Sequence, residues 1–109
     1  MTLNAIQRYA CERVLKTAEE ERRDRGLKIA RRGHLLILKP SDNGNILAEL
    51  TYEKFFDLRS RQLREVTHRL AVMVDGTAAC DCPDSIHRRE VCQHAVALST
   101  ILLQSNQEI

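Results

Sequence analysis

Three cysteines and a histidine are gathered late in the chain: Cys80-Asp81-Cys82, nine intervening residues, then Cys92-Gln93-His94. Thiolate sulfur and imidazole nitrogen are the donors zinc prefers, four at a time in a tetrahedron. Two short pairs joined by a loop suit that geometry, because each local turn presents two donors and the loop brings the pairs together. Residues two apart on an ideal helix point to nearly opposite faces. Cys92 and His94 therefore cannot both lie inside a regular helix and share an ion. The spacing predicts Cys92 at or before a first helical turn and His94 just inside it, where helical N–H groups favour a thiolate. Cys80 and Cys82 are expected where a strand bends at Pro83, with both sulfurs turned towards that helix. Protein donors would fill every position and leave none for water or substrate, so the expectation is one structural zinc ion. There is no Ser/His/Asp set, no pocketed carboxylate pair and no phosphate-cradling glycine loop, and the chain is expected not to be an enzyme.

Alternative uses of the same residues are weaker. His87 could replace His94 as ligand, but the Cys-x-His that opens a helix is the better-formed pair. Thiol redox catalysis would call for a C-x-x-C pair, which the chain lacks. Disulfides belong to oxidising compartments. Met1–Ala10 carries no apolar core of signal-peptide type, and no stretch approaches the roughly 20 apolar residues of a membrane span. The expected location is cytoplasmic, with association to a nucleoid as an option. Cys11 falls on the apolar side of a helix and is read as a small core residue. His34 and His68 read as ordinary strand residues, and Tyr9, Phe55 and Phe56 as core.

Charge is the second feature with chemical content. The net charge is only +2, but 13 of the 17 basic residues are arginine, the side chain suited to bidentate phosphate or carboxylate contacts. Arg22, Arg23, Arg25, Lys28, Arg31 and Arg32 form one basic stretch, relieved only by Asp24. Arg59, Arg61, Arg64 and Arg69 form a second group. His87, Arg88 and Arg89 sit in the loop between the two ligand pairs. These groups either track a phosphate backbone or form a solvated surface partly paired with Glu19–Glu21. Low aromatic content and the absence of tryptophan argue against a stacking platform for single-stranded bases.

Positioning these residues falls to a small set of elements. Asn4 can cap a helix, and Ile6, Tyr9, Ala10, Val14 and Ala18 recur at helical spacing. Gly26 is expected to interrupt or end that helix. Leu27, Ile29 and Ala30 then start a second short helix that stops at Gly33, or Lys28–Arg31 run extended. His34–Lys39 reads as a strand ending at Pro40, followed by turn formers at Ser41–Asn45 and a returning strand at Ile46–Leu50. Tyr52–Gln62 suits a short helix or an irregular strand. Val66–Val74 reads as a strand, Asp75-Gly76 as a type I′ hairpin turn and Thr77–Asp81 as the return. Pro83-Asp84-Ser85 breaks the strand. Cys92–Gln104 reads as an amphipathic helix with Ala95, Leu98, Ile101 and Leu102 on one face. Ser105–Ile109 look frayed.

The pattern C-x-C, loop, C-x-H opening a helix resembles the SWIM zinc finger. Two strands joined by an Asp-Gly turn lead into the first pair, as in that family, and Ala95 and Ala97 follow the histidine in a similar setting. The match covers Val66–Leu103, about a third of the chain. Glu90-Val91 stand where many members carry glycine or proline before the third ligand. CDGSH-type iron–sulfur proteins also pair C-x-C with a further Cys and His, but their histidine lies four residues after that cysteine.

The fold expectation is α+β: an N-terminal helix, a small antiparallel β-meander and a C-terminal ββα zinc module, divided as residues 1–65 and 66–109. The resemblance implies either of two functions. One is a nucleic-acid-binding accessory factor, using Arg88, Arg89 and the Arg22–Arg32 stretch. The other is a protein-interaction module docking to a DNA-processing ATPase, transposase or recombination factor. A second copy of the chain is a further candidate partner, through the N-terminal helix. Zinc removal is expected to unfold the C-terminal half while sparing that helix more.

Overall fold

Asn4 caps the first helix. Its side-chain oxygen accepts the Gln7 N–H at 2.8 Å, and the Gln7 side chain accepts the Asn4 N–H at 3.1 Å, a reciprocal box that satisfies donors the helix itself leaves open. The computed structural model describes residues 2–57, 59, 61–88 and 90–105. Within them the order is α1 (Ala5–Thr17), α2 (Glu20–Arg31), β1 (His34–Lys39), β2 (Ile46–Asp57), β3 (Gln62–Val72), β4 (Ala78–Cys80), α3 (Pro83–Arg88) and α4 (Gln93–Ser105). The strands form one antiparallel sheet in the order β1-β2-β3-β4. The architecture is thus α+β, with four helices and a four-stranded antiparallel sheet.

Strand alternation decides where the core lies. Ile46, Ala48, Leu50 and Tyr52 of β2, Leu70 and Val72 of β3 and Cys80 of β4 are buried on one face. They join Ala10, Cys11 and Val14 of α1, Ile29 of α2, and Ala95, Ala97, Leu98 and Leu102 of α4 in one cluster. The other face keeps Leu35, Ile37, Leu47, Phe55 and Leu63 exposed. β3 runs across position 65, and the core cluster draws on residues from both sides of it.

Several elements differ from expectation for identifiable reasons. The first helix stops at Thr17, Ala18 is extended, and α2 restarts with Glu20 and Glu21 in its first turn, where acidic side chains complement the helix dipole. Gly26 therefore ends nothing. It lies inside α2, where a Cβ would come within 2.6 Å of the Gln93 carbonyl oxygen and of Val96 Cβ, so its place is a close approach of α2 to α4. The turn after β3 is not type I′, because only Gly76 has positive φ, at 88°. Gly76 N–H donates to Met73 O at 2.9 Å and Met73 N–H to Thr77 O at 2.8 Å, which makes a three-residue loop with glycine in the left-handed position. Tyr52–Asp57 continues β2, and β3 starts at Gln62 rather than Val66.

α4 is not one-sided. His94 through Thr100 are all buried, because α1 and α2 cover the side that the sheet does not. Conversely Tyr9 and Phe55 are 56% and 44% exposed and belong to no core. The Phe56 side chain, Leu58 and residues 106–109 lie outside the described residues.

Candidate metal centre

Cys80 is the last residue of β4, paired with Leu70. Its N–H donates to Ser85 Oγ at 2.9 Å, so α3 grips the end of the strand. Cys82 directly precedes Pro83, a residue favoured at the first helical position, and its carbonyl accepts the Ile86 N–H at 3.1 Å. The segment between the ligand pairs thus contains a short helix where only a strand break was expected. Cys92 directly precedes α4. Its carbonyl accepts the Val96 N–H at 3.2 Å and its sulfur accepts the Ala95 N–H at 3.4 Å. His94 is the second residue of α4, the placement that the C-x-H spacing predicts.

These turns bring the ligand atoms of Cys80, Cys82, Cys92 and His94 within 4.8 Å of one another, all four residues buried. Cys80 Sγ lies 3.8 Å from His94 Nδ1. Zinc–sulfur and zinc–nitrogen bonds of ordinary length in a tetrahedron place such atoms about 3.6 Å apart. The donor chemistry and the spacing therefore fit a zinc ion. The thiols are unequal in acidity. Cys92 is held far below the ordinary thiol range, chiefly by the hydrogen bond from Cys80 and further by His94 and the Ala95 N–H, against its burial. Cys80 is pushed up, first by donating to Cys92 and then by burial. Burial is the main cause of a rise at Cys82.

The supporting shell contains residues that the linear pattern does not single out. The Tyr52 hydroxyl lies 2.8 Å from His94 Nε2 in the buried interior. Nδ1 faces the cysteines; with an ion held on Nδ1, Nε2 would carry the proton and donate to the hydroxyl, the tautomer that a ligating Nδ1 requires. Burial raises the Tyr52 pKa and keeps that hydroxyl protonated. Tyr52 continues the inward parity of Ile46, Ala48 and Leu50, and that period of two was the available signal. His68 is more than a strand residue. Its ring stacks on His94 with centroids 3.8 Å apart, and its Nδ1 meets Asp81 Oδ1 at 2.8 Å. Asp81 also accepts the Arg69 N–H at 3.3 Å. Partial burial pushes this carboxyl up, but the hydrogen bonds from His68 and Arg69 outweigh it and the net shift is downward. His68, Cys80 and Asp81 form a second donor group, which shares Cys80 and so is one wall of the same centre. His87 is exposed on α3 and is not among the grouped donors.

Comparison with known proteins returns no matching family model, no matching curated protein and no matching solved structure.

The basic residues separate by environment. Arg22 is buried, its guanidinium bonded to Asp84 at 3.1 and 3.4 Å and to Glu19 at 2.7 Å. It is a strut between α2 and α3 behind the ligand loop, and the same bond is the main cause that holds the Asp84 carboxyl below its ordinary range. Arg23 is half-buried, whereas Lys28, Arg31 and Arg32 are exposed. Arg25 pairs with Glu21 at 2.6 Å on the surface. Arg88 reaches Asp84 at 3.6 Å and stays largely exposed. Arg89 lies outside the described residues. Among the described residues, no helix is long and apolar enough to cross a membrane.

Proposed function

We propose that this chain is a zinc protein of SWIM type whose ion is structural and whose task is binding, not catalysis. One observation carries the reading: three cysteines and a histidine, all buried, converge within 4.8 Å where a strand end meets a helix start. A full protein donor set leaves no position for a substrate. Elemental analysis of the purified protein is expected to give zinc near one equivalent per chain. A brown, iron-containing protein with cluster absorbance would overturn the assignment.

The favoured task is nucleic-acid binding as an accessory factor in the cytoplasm. Lys28, Arg31, Arg32 and Arg88 are exposed and can meet phosphates, whereas Arg22 is committed inside the protein. Titration of the zinc-loaded chain with duplex and single strand at two salt concentrations tests this. Salt-sensitive binding at micromolar concentration or tighter is expected, and its absence at low salt would overturn the reading. Exposed Leu35, Ile37, Leu47 and Leu63 on the open sheet face favour a second reading, docking to a DNA-processing protein. Ile6 and Tyr9, exposed on α1, offer a second copy of the chain a contact.

A further inference from the structure

β2 and β3 outrun their neighbours. β1 pairs with β2 no further than Tyr52, and β4 pairs with β3 no further than Leu70. Beyond Tyr52, Glu53, Lys54 and Phe55 pair with Glu65, Arg64 and Leu63 as a two-stranded arm. Alternation sorts the charges of this arm by face. Glu53 stands opposite Glu65 on the open side of the sheet. Lys54 stands opposite Arg64 on the side of Tyr52 and the metal centre. Like charges directly opposite one another weaken a strand pair. Swapping one residue of each pair would have set opposite charges across both positions, and instead Lys54 and Arg64 share one face, with Glu65 at the rim of the cavity they line.

That side does not face open solvent alone. Lys54 lines a cleft of about 250 Å³ together with Arg25 of α2, and Tyr52 and His94 also line it. The one carboxylate on its lining, Asp84, is already engaged by Arg22 and Arg88. The Arg25–Glu21 pair is an exposed i,i+4 contact, the kind worth little in water and readily exchanged for a phosphate. Two cations from separate elements, Lys54 of β2 and Arg25 of α2, therefore line one concavity beside the ligand loop, its one carboxylate already engaged, and Arg64 of β3 stands opposite Lys54 on the arm.

The geometry points to this cleft and the cationic face of the arm as the seat of a phosphodiester backbone, laid between the arm and the ligand loop. The inference rests on the nucleic-acid reading above and goes further, since it moves the principal contact from the ligand loop to Lys54, Arg64 and Arg25. Arginine supplies a planar fork for phosphate oxygens, and lysine a compact point charge.

The test uses the full zinc-loaded chain and a fluorescently labelled DNA, as duplex and as single strand, followed by anisotropy across a salt series. Lys54→Glu with Arg64→Glu is compared with Glu53→Lys with Glu65→Lys, the mirror change on the far face. Zinc content and thermal melting check each variant, and Lys54→Gln with Arg64→Gln replaces the first if charge reversal disturbs the fold. The near-face variant is expected to bind at least about tenfold more weakly, with a log–log salt slope flatter by about 1.8 on duplex or about 1.4 on single strand for two lost phosphates. The form with the larger loss names the partner. The far-face variant should stay within about twofold, because its charges meet the backbone only through screening solvent. Wild-type binding that the near-face variant keeps intact would overturn this inference and leave the nucleic-acid reading standing. A far-face gain equal to the near-face loss would also overturn it, since net charge alone would then govern. Absence of wild-type binding to either form would overturn both.

Discussion

His94 needs its ring held in one tautomer, and Tyr52 is the residue that holds it. The hydroxyl at 2.8 Å engages Nε2 and leaves Nδ1 as the nitrogen that faces the cysteines, and stacking by His68 restricts rotation of the ring. Tyr52→Phe keeps the buried aromatic ring and deletes only the orienting hydroxyl. Its expected effect is a loss of about 10- to 100-fold in zinc affinity, the range typical of such supporting partners, read by competition with a chromogenic chelator. Unchanged affinity would mean that packing alone orients the ring. Cys11→Ala should leave zinc stoichiometry at wild-type level, because Cys11 lies in α1 and is absent from the donor group. Loss of metal from that variant would mean that the donor set is misassigned.

Gly26 shows where element-level reading from the sequence succeeds and where it stops. Glycine late in a helical run ordinarily signals a C-terminus, and nothing local distinguishes that from glycine that lets another helix approach. The distinction lies in α4, almost seventy residues away in the chain. Gly26→Ala gains about 0.5–1 kcal/mol of helix propensity but drives a methyl group to 2.6 Å from Gln93 O and Val96 Cβ, an overpacking cost of about 1–3 kcal/mol. The expected net result is a lower melting temperature, by about 4–8 °C per kcal/mol in a domain of this size. Gly33 has nothing within 4 Å of an added Cβ, and its φ is not positive. Gly33→Ala should therefore be neutral or raise the melting temperature slightly. An equal response of the two variants would show that α2 and α4 are not in close approach. The same contrast explains the rest of the reading. The ligand group, the β1 and β2 strands and the Cys92–His94 helix entry were legible because they depend on neighbours in sequence. The α1–α2 break, the burial of α4 on all sides and the exposure of Tyr9 were not, because each depends on which distant element packs there. Tyr52 lies in the stretch that the sequence leaves open between helix and strand, and only the continuation of β2 past Leu50 turns it inward, where His94 meets it.

At the scale of the whole molecule, the question is how far loss of the metal propagates. The distribution of apolar residues along the sequence predicts that zinc removal unfolds the C-terminal half and spares the N-terminal helix more. The shared core argues for a wider effect. α4 carries His94 at its start and buries Ala95, Ala97 and Leu98 in the same cluster as Ala10, Cys11 and Val14 of α1 and Ile29 of α2. If α4 loosens, α1 and α2 lose a large part of the surface they cover. Structural zinc contributes about 10 kcal/mol or more of apparent folding free energy in small fingers, comparable with the entire stability of a typical domain, about 5–15 kcal/mol. Acidification should act in the same direction, because protons compete with zinc for the thiolates. Cys11 reports on the outcome. It is fully buried in α1, and burial pushes its thiol up to about 11, so it stays unreactive towards a thiol reagent near neutral pH while the core stands. After complete demetallation, Cys11 is expected to become reactive together with Cys80, Cys82 and Cys92, and hydrogen exchange of α1 should lose its protection at the same chelator concentration as α4. Rapid labelling of the three ligand cysteines with Cys11 still protected would give the opposite answer: a core that holds without zinc, and a metal that orders only the segment from β4 to the start of α4.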